Sequence, residues 1–300
     1  MDQLKALSIF VAVADEAGFA PAGRRLGLSP PTVTRAIFEL ENHLGARLLH
    51  RTTRSVTLTE AGARYLDDCR RILSEIEEAD RQAAGIHAEP SGLVTVTGSV
   101  LFGRMVVAPA LIRLLDKYQE IALSTLFVDR VVHVVDEGID VAVRIAELPD
   151  SSLTAVRVGA VRRVVCASPD YLKRAGRPKT PSDLNGHEIM AFSSMPPAPE
   201  WAFGREGKTQ RLSLSSRFQT NTADVAINAA LAGRGLTRVL SYMVASHVAD
   251  GTLEIVLEDY EPPIVPVHVL HKEAGRTSAR VRAVVDHLVE ELRQNPALAQ

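Results

Sequence analysis

The chain has 300 residues, 46% apolar and 23% charged, with a net charge of −2, more than one hydrophobic core usually holds, so two or three folding units are expected. No run of about eighteen uncharged apolar residues occurs, which excludes a helical membrane span. The opening MDQLKALSIF carries no secretory pattern, and Cys69 and Cys166 stand apart without a CxxC or Cys/His cluster, so a reduced cytoplasmic protein without disulfide framework or zinc site is expected.

Residues 2–17 place Leu4, Leu7, Val11 and Ala14 at helical spacing up to Gly18. Pro21 suits the first turn of a short helix through Leu26, closed by Gly27. Ser29 before Pro30 is an oxygen cap followed by a preset φ, and it starts a third helix to Gly45 with Val33, Ile37, Leu40 and Leu44 inward. LLHRTTRSVTL, 48–58, reads as a hairpin with a basic tip. From Thr59 and Glu60 a longer helix carries Tyr65, Cys69, Ile72, Ile76, Ala79, Ala83 and Ile86 at heptad spacing, a stripe that calls for a partner helix. HAEPSG, 87–92, breaks it and is taken as the linker.

Strand-like and helical runs then alternate: strands at 93–97, 121–128 and 140–145, a helix near 104–118 and another from Val131. A second set follows, with strands at 162–168, 187–192, 217–220, 235–240 and 264–270, and helices from Thr222 to about Ala232 and from Thr277 to about Arg293. This βαβ pattern predicts a parallel-rich sheet and two similar α/β lobes around a cleft. The organisation expected is a first domain at 1–58, a linker and dimerisation helix at 59–89, and an α/β domain at 90–300, with lobe I at about 92–162 and 268–300 and lobe II at about 163–267.

The charge is unevenly spread. Residues 20–65 hold seven arginines (24, 25, 35, 47, 51, 54, 64) against Glu39, Glu41 and Glu60, a local balance of +4 in an otherwise acidic chain. A small basic unit on an acidic body is the electrostatic footprint of a modular DNA binder. In a helix-turn-helix the second helix enters the major groove at its N-terminal turn, here Ser29 to Arg35. With Val33, Ile37 and Leu40 inward, Thr32, Thr34 and Arg35 point outward as groups that reach bases or phosphates.

The segment LGLSPPTVTRAIFELENHLGARLLHRTTRSVTLTEAG, together with GIDVAVRI, CASPDYL and LAGRGLTRVL further on, resembles the LysR-type transcriptional regulators over the whole chain. The resemblance implies a multidomain fold: an all-α winged helix-turn-helix, a long linker helix, and a two-lobed α/β effector domain like the type 2 periplasmic binding proteins. It also implies DNA contacts at Pro30, Pro31, Thr32, Thr34 and Arg35 and, from the wing, at Arg51, Thr52 and Arg54. Ala20 departs from the usual serine or threonine before the second helix, so another cap is needed; the double proline leaves fewer free N–H groups at the groove.

Helix N-termini after the strands at 93–97 and 217–220 offer N–H groups to an anion, which places Ser99, Val100 and Thr222 at the cleft; the resemblance adds Arg144, Ile145, Phe192, Ser193 and Thr237. Ser99 and Thr222 read equally as plain helix caps, and Arg144 as the partner of Asp140 or Glu147. Tyr65, Cys69, Ile72, Ile76, Ala79 and Ala83 are expected to form the dimer seam, and the resemblance implies a homotetramer. Expected partners are double-stranded DNA at a partly palindromic promoter site, a second copy of the chain, a small, anionic effector and RNA polymerase, with no membrane. A phosphate loop, HExxH, GxSxG and paired carboxylates are missing, so no catalytic residue, metal or cofactor is expected. A solute-binding protein shares the two-lobed fold but neither opens without a signal segment nor carries a basic head. A thiol sensor would need more exposed cysteines than a heptad position and a strand provide.

Overall fold

The computed structural model describes residues 2–51, 56–83, 89–134, 137–148, 153–192, 200–205, 208–272 and 278–299. Two compact units divide the chain, Met1–Leu93 and Val94–Gln300.

In the first unit α1 (Gln3–Asp15) is capped by Asp2, whose side chain accepts from Lys5 N. α2 (Phe19–Leu26) begins two residues before Pro21, with Gly18 at the N-cap and no side-chain cap. Pro21 thus falls at the third helical position, where its missing N–H has no intrahelical acceptor in any case. α3 (Pro30–Leu44) runs from Ser29, whose hydroxyl accepts from Thr32 N, to Gly45 at φ 66, the left-handed conformation that glycine takes at least cost. Phe10, Val13, Ala22, Val33, Ile37 and Leu40 are fully enclosed where the three helices meet. β1 (Leu49–Arg51) pairs antiparallel with β2 (Val56–Leu58), and the hairpin tip with Thr52 and Arg54 lies outside the described residues.

α4 (Glu60–Ala83) follows. Thr59 precedes it, donating its hydroxyl to Arg47 O and accepting from Gly62 N. A Cβ on Gly62 would lie 1.9 Å from Leu48 O, so only glycine lets the helix come this close to the wing's root. The heptad stripe divides along α4. Cys69 is wholly enclosed in the unit's own core and so is not free for a partner, while Tyr65, half-buried, tilts against Phe10 at 5.7 Å. Ile72 packs at the edge of the same core, Ile76 is half-buried and Ala79 exposed. Of Ala83 only its place at the end of the helix is described.

The second unit is α/β. β3 (Gly92–Gly98) leads into a continuous helix: α5 (Val100–Phe102), a π turn over Gly103–Val107, and α6 (Ala108–Lys117). The helix starts at Val100, four residues before the expected 104, because Asp129 already satisfies Val100 N. β4 (Ile121–Phe127) follows. The helix expected from Val131 does not form among the described residues of 131–140. β-branched Val131, Val132 and Val134 disfavour it, and Glu137 accepts from His133 N while gripping Arg130 with both oxygens, which shapes a loop instead. The remaining elements are β5 (Val141–Ile145), β6 (Leu153–Val161), β7 (Arg163–Ala167), α7 (Pro169–Ala175), β8 (Met190–Phe192), β9 (Glu200–Arg205), β10 (Lys208–Ser213), β11 (Phe218–Thr220), α8 (Ala223–Leu231), β12 (Thr237–Leu240), α9 (Ser241–Ala249), β13 (Glu254–Val256), β14 (Val265–Lys272) and α10 (Ala279–Arg293).

One sheet has the order β4-β3-β5-β14-β6 and a second the order β12-β7-β13; the β11-β8 pair joins the latter through an Ile189–Leu236 bridge. The sheets are less parallel than the βαβ reading predicts. β3–β5 and β8–β11 are parallel, but β14 enters the first sheet antiparallel to both its neighbours and β7 is antiparallel to β12 and β13. The chain returns from the second sheet to the first at β14, and that crossing reverses its direction.

Candidate DNA interface and effector cavity

On α3 the side chains of Pro30, Pro31, Thr32, Thr34 and Arg35 are all exposed, opposite Val33, Ile37 and Leu40. Thr34 Oγ1 donates to Pro30 O at 2.9 Å, so its hydroxyl is engaged on the helix backbone. Arg35 Nε donates to Glu39 Oε1 at 2.8 Å, but Arg35 is 82% exposed; such pairs contribute about 0.3–0.5 kcal/mol, little against a phosphate or guanine.

Arg51 is held differently from a free wing arginine. Glu41, 4% exposed, accepts from Leu48 N at 2.9 Å, Leu49 N at 3.2 Å and Arg51 Nη2 at 2.6 Å. The Arg51 guanidinium also stands over the Phe19 ring, 5.3 Å from its centroid. It therefore joins α2, α3 and β1. Glu41 is the residue sequence reasoning missed; its signal was an acid on the inward side of an amphipathic helix, where a carboxylate needs partners.

In the second unit a cavity of about 1150 Å³ lies between the ends of the two sheets. Ser99, Val100, Arg144, Ile145, Phe192 and Thr222 all line it. Thr237 does not: it is fully buried in β12 opposite Cys166. Ser193 lies outside the described residues. Ser99 and Thr222 hold N-cap positions, yet neither side chain caps its helix. Arg144 pairs with neither Asp140 nor Glu147 and donates to Val132 O at 3.3 Å, while Asp140 accepts from Thr95 N. Burial holds the Arg144 pKa below its ordinary value, opposed by the charge of Glu137.

Four further groups line the cavity, and of these Asp224, two residues past Thr222, would oppose an anion at that turn. Asp129 accepts from Val100 N at 3.0 Å, Arg104 pairs with Asp224 at 4.0 Å, and Tyr242 is 2% exposed at the start of α9. Burial, with the charge of Asp129 adding, pushes the Tyr242 phenol above its ordinary pKa. Its hydroxyl lies near Ser99 without a well-formed hydrogen bond. A tyrosine two residues past the end of a strand was the available signal. The walls between these groups are apolar, among them Val128, Leu148, Met243 and Leu270.

Cys69 and Cys166 are free and buried, and burial pushes their thiols up to about 11 and about 12. Among the described residues no group of His, Cys, Asp and Glu could hold a metal, and no helix is long and apolar enough to cross a membrane.

A winged helix-turn-helix followed by an α/β unit with a ligand-sized cavity defines a regulator that joins a DNA-reading head to a small-molecule-responsive body. Residues 4–63 match the model of the bacterial regulatory helix-turn-helix protein, lysR family, and residues 87–293 that of the LysR substrate binding domain. The HTH-type transcriptional activator AaeR of Escherichia coli K12 is 31% identical over 97% of this chain and 94% of its own. The structure of CrgA, a LysR-type transcriptional regulator from Neisseria meningitidis, is 29% identical, with a TM-score of 0.62 over 97% of this chain and 99% of that one. The full-length structure of the Vibrio cholerae virulence activator AphB is 26% identical, with a TM-score of 0.61 over 96% and 98%. The chain belongs to the LysR family of bacterial transcriptional regulators, with a DNA-binding and an effector-binding domain; its members are regulators, not enzymes.

Proposed function

We propose that the chain binds a partly palindromic promoter site as a dimer, or a dimer of dimers, and that an amphipathic anion in the cavity biases it between two arrangements. The organisation is that set out from the sequence: a DNA-binding domain at 1–58, a pairing helix at 59–89 and the effector domain beyond. Pro30, Pro31, Thr32, Thr34 and Arg35 face the groove, with Thr52 and Arg54 on the adjacent backbone. Ile76 and Ala79, left uncovered by α1, support pairing through the outer part of α4, since two half-sites need two recognition helices. RNA polymerase is the partner through which such a regulator acts.

The observation that carries the anionic effector is Arg144. It is a partly desolvated guanidinium lining a cavity with both apolar and charged walls; the charge of Glu137 acts on it, but among the described residues no carboxylate forms an ion pair with it. A bound carboxylate would restore what burial removed. The hydroxyls of Ser99, Thr222 and Tyr242 stand ready to orient the rest of the ligand. Coupling follows if the ligand binds one arrangement better than the other.

The test is a calorimetric screen of small aliphatic and aromatic carboxylates against their methyl esters. Acids should bind where esters do not, and Arg144→Met should lose at least ten-fold in affinity for the acid. Equal binding of acid and ester would refute the anionic reading. On the DNA side, Arg35→Ala should either weaken binding at one base position by about 1–3 kcal/mol or flatten the salt dependence on all sequences. No change in either would defeat the placement of α3.

A further inference from the structure

Phe38 is 51% exposed, while the other large apolar side chains at the centre of α3, Val33, Ile37 and Leu40, are 0% exposed. The core of the first unit does not use it. At 100° per residue it stands on the face of Pro31, Thr34, Arg35 and Asn42, all exposed. A benzyl ring therefore projects from the middle of the recognition helix, one turn beyond the two residues best placed to touch bases. It is flanked by the exposed side chains of Arg35 and Thr34.

The chemistry of that ring narrows what it can meet. It offers no donor or acceptor, so it cannot read the amide and carbonyl edges of the major groove. The one apolar group displayed there is the C5-methyl of thymine. The arginines of this unit bring it to an anionic duplex, and the helix axis carries Phe38 inward with its neighbours. We propose that Phe38 is a specificity-determining residue that packs on a thymine C5-methyl within each half-site. This rests on the reading that α3 enters the major groove.

The experiment enriches a preferred duplex from random sequence with the full-length protein. Each thymine is then replaced in turn by deoxyuridine, which removes the methyl and leaves the pairing intact. At one position per half-site the wild type should bind about four-fold more weakly, the value of one buried methyl group, and about fifteen-fold more weakly with both changed. Phe38→Ala should bind the thymine and deoxyuridine duplexes equally, with an unchanged salt slope, whereas Phe38→Leu should keep part of the preference. Enrichment of a sequence in which no thymine effect depends on Phe38 overturns this inference alone. So does a Phe38→Ala loss that is the same on thymine and deoxyuridine at every position. Failure to enrich any sequence overturns the groove assignment and this inference together.

Discussion

Glu41→Ala tests the grip between the recognition helix and the wing. The substitution strands the N–H groups of Leu48 and Leu49, residues 2% and 3% exposed, at about 1–3 kcal/mol each. It also takes the nearest carboxylate from Arg51, whose 26% exposure lets water compensate in part. The expected loss for the first unit is about 3–5 kcal/mol. Glu41→Gln keeps one oxygen for the two amides and gives up only the charge-assisted bond, so its loss should be about 1.5–3 kcal/mol. Trp201, the only tryptophan, is buried in the second unit. In urea its emission follows that unit, and a circular dichroism change without an emission change reports the first. Glu41→Ala should move the first transition and leave the second in place. A shift below about 0.5 kcal/mol, or alanine no worse than glutamine, would refute the reasoning. Arg51→Met adds a functional reading: if Arg51 positions the wing, DNA affinity falls with the salt slope unchanged, and if it neutralises a phosphate, the slope falls by about one.

Gly103→Ala would set a Cβ 2.3 Å from the Phe127 ring, so the π turn or the ring must shift; the expected cost is about 1–3 kcal/mol, read in the Trp201 transition, and an unchanged midpoint would show the contact to be slack. Hydrogen bonds from Arg130 hold the Glu137 carboxyl down to about 2. Its folded pKa lies below the unfolded value, so its stabilisation is complete above about pH 4.5 and lost as pH falls toward 2. Glu137→Gln should therefore lose less stability than the wild type across that window; parallel acid titrations would exclude the linkage. Cys69 and Cys166 should resist an aromatic disulfide reagent at pH 8 until the chain unfolds, and prompt labelling of either would reopen a thiol-sensing role.

The helices of the first unit were legible because their ends carry local signals. Ser29, Gly27 and Gly45 mark their positions through side-chain oxygen and left-handed backbone, whatever lies around them. The heptad stripe of α4 was legible as apolar but not as to what covers it. Cys69 faces α1, an element more than fifty residues earlier, and spacing alone cannot separate a core within one chain from a seam between two. Arg51 reads as a wing cation until Glu41 is seen folded against it. The same holds at the cavity. Ser99 and Thr222 follow strands at recognisable helix starts, whereas Asp129 and Tyr242 arrive from segments whose nearness is set by the whole unit. Thr237, implied only by the family resemblance, is instead buried in β12 opposite Cys166 and does not line the cavity, since strand alternation gives each residue one side only. The loop after Val128 misled for a related reason: β-branched valines disfavour a helix there and Arg130 pairs with Glu137 across the turn, and periodicity registers neither.

Leu48 donates its N–H to Glu41 on one side, while its carbonyl accepts from Thr59 N and lies against Gly62 on the other. Hydrogen bonds and one backbone approach thus tie α3, β1 and α4 together at a single residue. Under the pairing proposed above, the crossing angle of two such α4 helices would bear on the separation of the two α3 helices. A side chain at position 62 would have no room beside Leu48 O, so any substitution there must push α4 away from the root of the hairpin.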